Sequence, residues 1–174
     1  MVALGVNRIM VSISIDDLPP EELVLAMAYM NRLIKNHNWS EYGAATAAAC
    51  AKSESDFRTE VEGDKDLPNH AHGMHQWRLD RYDNPQPKHV WALGLLQFAA
   101  MNHVPWTDFN NQIAFVDYET STRSIEERHW KHCLTLEEGT ACGKLYEGYA
   151  GKTQPARFEW AKIFLQAYRD SVKI

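Results

Sequence analysis

Long apolar runs and an excess of either charge are missing from this sequence. No segment approaches the roughly 18 to 20 apolar residues that span a bilayer, and residues 1–14 hold no apolar core followed by a small-residue cleavage site. Lysine and arginine number 18 against 23 acidic residues, a formal net charge of -5. We therefore expect a soluble chain without its own export signal, without stable membrane insertion, and with no nucleic-acid partner.

Cysteine is scarce as well. Cys50, Cys133 and Cys142 are an odd number at spacings that match no common metal site, and Cys50 lies inside an apolar helical run. We expect reduced thiols and folding in a reducing compartment. The 174 residues, 45% of them hydrophobic, are enough for one core, so the sequence predicts a single domain over 1–174.

Helical signals dominate what is present. Acidic residues and prolines between Asp16 and Glu22 predict a helix entry, and apolar residues then recur at spacings of three and four as far as Lys35. Ser40 is expected to cap an alanine-rich helix whose small side chains allow burial on most sides. Further helices are predicted over 88–101, after Asp108, and over 124–133, 135–149 and 154–172.

The pattern changes between residues 57 and 77. Gly63 to Asp66 and Leu67 to Asn69 have turn chemistry, and the short segment from Ala71 to Trp77 is extended in character. The sequence therefore predicts a small hairpin or irregular β-lobe beside the helices. The expected fold class is α+β, mainly α-helical.

Glu54 ends the alanine-rich helix, and Gln76 and Trp77 follow about twenty residues later. Splitting a glycosidic bond requires a proton donor, and a glutamate fills this role at neutral pH only where apolar surroundings raise its pKa. We expect Phe57 and Trp77 to exclude water around Glu54. The alternative is that Glu54 is a solvated residue at a helix end.

A series of motifs around Glu54 resembles that of the phage tail lysozymes, a branch of the lysozyme-like superfamily. The series consists of Glu54-Ser55-x-Phe57, Gly63-Asp64 and Ala71-x-Gly73-Met74-x-Gln76-Trp77-x-x-x-Arg81. Weaker matches are Gln112-x-x-Phe115-x-x-x-Glu119, Tyr146-Glu147, Arg157 and Ala161. The similarity runs from about residue 39 to residue 168, which leaves residues 1–38 as an N-terminal helical extension.

The resemblance implies a lysozyme-like fold and a muramidase that cuts the β-1,4 bond between N-acetylmuramic acid and N-acetylglucosamine. Glu54 matches the catalytic acid of the family. Gln76 and Trp77 match groove residues, where tryptophan offers a stacking face and glutamine an amide for sugar hydroxyl or acetamido groups.

Four further residues complete the expected substrate-binding set. Gly73 would let a sugar approach the backbone closely, and Phe57, His72 and His75 are expected to line the groove. Arg81 is expected to form a structural salt bridge rather than to contact substrate.

A second carboxylate is expected to work with the acid. Asp64, in the Gly-Asp turn, is the first candidate and Glu62 is its substitute, whereas Glu60 and Asp66 are expected to be solvated turn charges. Related goose-type lysozymes and lytic transglycosylases manage with one dominant glutamate. Hydrolysis and transglycosylation by the same Glu54 therefore both stay open.

Histidines make this chain depart from the family pattern. His70, His72 and His75, with Asp64 and Asp66 nearby, could hold zinc, as in a metal-dependent cell-wall amidase or peptidase. We favour polar residues that face a sugar groove or solvent, and so expect no metal and no other cofactor. A non-catalytic structural module of a virion is a further alternative.

The expected partner is the glycan strand of peptidoglycan, and the expected oligomeric state is a monomer. The protein would be made in the host cytoplasm and act on the cell wall in the periplasm. It would reach the wall either by holin-dependent release, as an endolysin, or as part of the phage particle.

Overall fold

Seven α-helices and one two-stranded sheet form the part of the chain that the structure, a computed structural model, describes: residues 12–68, 70–86, 93–148 and 151–173. The helices are α1 (Pro20–His37), α2 (Glu41–Ser55), α3 (Leu95–Met101), α4 (Phe109–Thr122), α5 (Ile125–Trp130), α6 (Leu136–Glu147) and α7 (Gln154–Ser171). The strands are β1 (Glu62–Gly63) and β2 (Ala71–His72), and short 3₁₀ helices cover Ile15–Asp17, Leu79–Arg81 and Gly151–Thr153. The predicted mainly helical α+β fold is confirmed.

Helix α2 is the centre of the helical body, as its composition predicts. The Ser40 side chain accepts a hydrogen bond from the Gly43 amide at 3.0 Å and so caps the helix. Residues 43–51 are all buried, and α1, α6 and α7 pack around them. Asp56, in the left-handed conformation, ends the helix. Glu54 therefore lies in the last turn, where the core ends and the β-lobe begins.

The helix predicted over 88–101 begins later than expected in the part of it that the structure describes. Residues 93 and 94 are not helical, and α3 begins at Leu95 after Gly94. The earlier part of the predicted helix, 88–92, lies outside the described residues. No described helix is long and apolar enough to cross a membrane.

The predicted extended segment from Ala71 to Trp77 stops at His72. Gly73 and Gln76 have φ angles of 72° and 51°, so the chain reverses between them. Trp77 then returns to pair with His72 through two backbone hydrogen bonds of 2.9 Å. Gln76 and Trp77 consequently sit on a tight turn, not on a strand.

The buried carboxylate of Glu119, on α4, holds this turn against the helices. Its Oε2 accepts hydrogen bonds from Trp77 Nε1 at 2.8 Å and from the Tyr146 hydroxyl at 2.6 Å. Arg81 donates to both carboxylate oxygens, at 3.1 and 3.0 Å. Burial favours a higher pKa for Glu119, but Arg81, Arg123 and these hydrogen bonds outweigh it and lower the pKa. The predicted structural salt bridge of Arg81 is confirmed.

Another structural carboxylate, that of Asp117, joins three helices on the far side of α4. It accepts hydrogen bonds from Trp39 Nε1 at 2.7 Å and from Lys131 Nζ at 2.9 Å, and it pairs with His37 Nδ1 at 3.2 Å. Burial favours a higher pKa, but the hydrogen bonds from His37, Trp39 and Lys131 lower the pKa of Asp117 to about 2. The ends of α1 and α5 and the entry to α2 are thereby fixed to α4.

Replacing Glu119 by glutamine is expected to lower the free energy of unfolding by about 3 to 5 kcal/mol. The change keeps the shape of the side chain but leaves the buried Arg81 charge without its counter-ion. Urea unfolding followed by tryptophan fluorescence measures the effect. Glu137→Gln, on the exposed face of α6, is the control and should change stability by less than about 0.5 kcal/mol. Equal losses in both variants would contradict the role of Glu119.

Asp117 predicts a specific acid sensitivity. Because its pKa in the folded protein is about 2, below its ordinary value of 3.8, its contribution is complete above about pH 5 and disappears as the pH falls toward 2. The pKa difference corresponds to roughly 2 kcal/mol. Unfolding of wild type and Asp117→Asn should differ by about this amount at pH 6 and converge near pH 2. A stability difference between the two proteins that stays the same from pH 6 to pH 2 would refute this role of Asp117.

Candidate active site

A cavity of about 450 Å³ lies where α2, the turn before Trp77 and the end of α6 meet. Its lining is mostly polar or charged and consists of Glu54, His75, Gln76, Arg78, Leu79, Asp80, Arg81, Glu147 and Gly148. A second cavity of about 550 Å³ shares Leu79 with the first and is otherwise lined by Glu62, Pro68, His70, His72, Tyr82 and Asp83. The two cavities adjoin at Leu79 beside the β-lobe, and together we call them the groove.

Glu54 lines the first cavity, and its side chain is 23% exposed. Its Oε1 accepts a hydrogen bond of 2.6 Å from Arg157 on α7, whose own side chain is mostly buried. Arg157 also lies 3.5 Å from the Cys50 carbonyl oxygen on α2. Helix α7 therefore fixes the direction of the Glu54 carboxylate, and the predicted placement of Glu54 at a cleft agrees with this geometry.

The apolar surroundings expected for Glu54 are absent from the lining of this cavity. Trp77 is 0% exposed and Phe57 is 2% exposed, and neither lines the groove. Phe57 packs between Tyr29 and Phe164, with ring centroids 6.1 and 6.0 Å away. These two aromatic residues belong to the core behind the groove. The expectations that Trp77 offers a stacking face to a sugar and that Phe57 lines the groove are therefore wrong.

Gly73 also has an internal role instead of the expected close approach to a sugar. Its φ of 72° favours glycine. A Cβ at this position would lie 2.8 Å from Gln112 Oε1 and 3.0 Å from the Trp77 ring. The same Gln112 oxygen accepts a hydrogen bond from the Met74 amide at 2.9 Å. Gly73 thus lets the turn pack tightly on α4, while Gln76, which does line the groove, donates to the Gly73 carbonyl at 3.0 Å.

The three histidines separate into two environments. His70, His72 and Tyr82 line the second cavity. The ring centroids of His70 and His72 are 5.9 Å apart, and those of His72 and Tyr82 are 3.6 Å apart, with both pairs stacked. Desolvation lowers the pKa of His72. His75 is buried and borders the first cavity, bonded through Nε2 to the Tyr29 hydroxyl at 2.7 Å and through Nδ1 to Glu147.

This separation bears on the zinc alternative. Within the described residues, no group of three or more histidine, cysteine, aspartate or glutamate side chains is arranged to hold a metal ion. Both nitrogens of His75 bind other side chains, those of Tyr29 and Glu147. His75 is therefore not available as a metal ligand beside His70 and His72. All three cysteines are buried and free.

Neither predicted second carboxylate lines the cavity that holds Glu54. Asp64 is exposed and forms an ion pair with Arg78, and it lines neither cavity. Glu62 pairs with His72 across the sheet and lines the second cavity only. The carboxylates that share the first cavity with Glu54 are Asp80 and Glu147.

Glu147 is the site residue that sequence reasoning did not select. It is the last residue of α6, and its side chain is only 2% exposed, at the wall of the first cavity. The Tyr146-Glu147 pair was a weak family match and was the available signal. Only the packing of α6 against α2 brings Glu147 to Glu54.

Comparison with known proteins identifies one family. The family model described as phage tail lysozyme matches residues 25–168, and thus starts within α1 and includes part of the segment taken as an extension. Comparisons with curated proteins and with solved structures give no match. Because the family match covers most of the sequence, the chain belongs to the phage tail lysozyme family.

Proposed function

We propose that this protein is a muramidase that cleaves the β-1,4 bond between N-acetylmuramic acid and N-acetylglucosamine, with Glu54 as proton donor. Family membership supports a peptidoglycan-degrading, lysozyme-like function. The observation that carries the finer proposal is the position of Glu54: a fixed carboxylate in a groove between the helical body and the β-lobe.

What supports a proton-donor role for Glu54 is its hydrogen bonding, since the apolar surroundings expected around it are not found in the cavity lining. Arg157 binds Oε1, and no hydrogen bond from a described residue ends on Oε2. A protonated carboxyl group still accepts the hydrogen bond of Arg157 through Oε1, while its other oxygen carries the proton toward the groove. The proton passes to the glycosidic oxygen as the bond from that oxygen to the anomeric carbon breaks. Arg157 acts as the positioning residue.

The groove provides space and surfaces for a glycan. Its two cavities, of about 450 and 550 Å³, meet at Leu79, which is 59% exposed and has a φ of 51°. We propose that the stacked His72 and Tyr82 rings give a sugar its aromatic surface in place of the buried Trp77. Gln76 supplies an amide beside the acid.

The proposed partner is the glycan strand of peptidoglycan, and the proposed place of action is the bacterial cell wall. Release through a holin and delivery by the phage particle are two routes to the same substrate. The monomeric state is likewise a proposal.

Replacing Glu54 by glutamine is expected to reduce the clearing of purified sacculi at least about 100-fold, because the amide cannot donate the catalytic proton. The amide oxygen still accepts from Arg157, so the variant should stay folded at the assay temperature. Glu60→Gln is the matched control and should keep full activity, because Glu60 is an exposed carboxylate of the β-lobe whose side chain, among the described residues, is bonded only to its neighbour Thr59.

The products decide between reaction classes. Mass spectrometry of the released muropeptides should show reducing-end N-acetylmuramic acid. Anhydro sugars would identify a transglycosylase, and cleaved stem peptides would exclude both. Full activity in Glu54→Gln, or no activity in the wild type, would overturn the proposal.

A further inference from the structure

We infer that Glu147 is the second carboxylate of this active site, acting as general base on the attacking water, and that His75 and Tyr29 hold it in position. The inference rests on the proposed function. Its observations are the shared cavity, the buried hydrogen-bond chain from Tyr29 through His75 to Glu147, and the common neighbour Arg157.

Only two described carboxylates accompany Glu54 in the first cavity, and they differ in how they are held. Asp80 is exposed, and no described residue forms a hydrogen bond with its side chain. The Glu147 side chain is almost completely buried, and His75 forms a hydrogen bond with its carboxylate. A general base must keep a fixed direction toward the reacting water. Glu147 meets this requirement and Asp80 does not.

The hydrogen-bond chain has one consistent arrangement when Glu147 is ionised and His75 is neutral. The carboxylate only accepts, so His75 Nδ1–H donates to Glu147 Oε1. In the neutral imidazole Nε2 is then an acceptor, and the Tyr29 hydroxyl, 2.7 Å away, donates to it. Burial, with the nearby Cys50 and Glu147, raises the pKa of Tyr29, which keeps its proton on the oxygen.

Two neighbouring residues on α6 are thus fixed by separate buried networks. Tyr146 reaches Glu119 on one side, and Glu147 reaches His75 on the other. Gly148, with a φ of 69°, ends α6 at the cavity wall. No hydrogen bond from a described residue ends on Glu147 Oε2, so this oxygen is available to a water molecule in the cavity.

The charge of Arg157 connects the two carboxylates. Arg157 binds Glu54 directly and is also attracted electrostatically by Glu147. Two carboxylates in one cavity repel each other, and a shared cation reduces this cost. Arg157 is thus within electrostatic reach of both carboxylates that line the first cavity.

The reaction follows as a single displacement. Glu54 gives its proton to the glycosidic oxygen as the bond to the anomeric carbon breaks. The oxygen of the water forms the new bond to that carbon, and a water proton passes to Glu147 Oε2. Attack from the face opposite the leaving group inverts the configuration, so a β-linked substrate gives an α product first.

The test compares four variants on a soluble peptidoglycan oligosaccharide. Glu147→Gln should lower kcat at least about 100-fold and much more than Asp80→Asn does, whereas Glu60→Gln, outside both cavities, should stay within about threefold of wild type. Tyr29→Phe should lower kcat several-fold with little change in KM, because it loosens the direction of Glu147 without removing a substrate contact. Proton NMR of the first product should show the α anomer.

Glu147→Ala with sodium azide separates catalysis from folding. Azide is a small nucleophile that needs no base, so it should restore part of the turnover and yield a glycosyl azide. Lost activity that azide does not restore would show that Glu147 is structural, and would overturn the inference. So would near-normal activity of both Glu147 variants, a β product, or a loss confined to Asp80→Asn. If Glu54→Gln is active, the proposed function itself fails. If Glu54→Gln is inactive while both Glu147 variants keep near-normal activity, only the role of Glu147 fails.

Discussion

The buried carboxylate of Glu119 is the interaction on which the groove depends. The β-lobe has two strands of two residues each, too little sheet to be stable alone. Its position is set instead by the bonds of Trp77 and Arg81 to Glu119. Gln112 adds a bond to the Met74 amide, and Ser55 donates to the Met74 carbonyl at 3.0 Å. A charge inside the protein tolerates few arrangements, so this network fixes one lobe position.

Much of the helical body could be predicted from local signals. Ser40, Asp108 and Ser124 each accept a backbone hydrogen bond at the start of a helix, and the alanine run identified α2 as central. The turn at Gln76 could not be predicted this way. Its positive φ is uncommon for a residue with a side chain, and it is maintained by contacts to α4 that are distant in sequence.

The site was predictable in part for the same reason. The motif around Glu54 placed the acid at the junction of helix and lobe, because those residues are close in the chain. Trp77 and Phe57 were expected in the groove, but large aromatic rings beside a core gain more by full burial, and Trp77 finds a partner for its indole N–H there. Glu147 is far from Glu54 in sequence, and no spacing rule joins α6 to α2.

The two cavity carboxylates are positioned by the same physical device. Glu54 is bound through one oxygen by Arg157 of α7, and Glu147 through one oxygen by His75, which Tyr29 of α1 supports. Each side chain thereby loses its rotational freedom to a partner that the core holds, and no hydrogen bond from a described residue ends on its second oxygen. The precision needed for catalysis comes from the helical core. Under the proposed function a lobe with a minimal sheet is sufficient, because its role there is to bind the sugar and not to orient the acid.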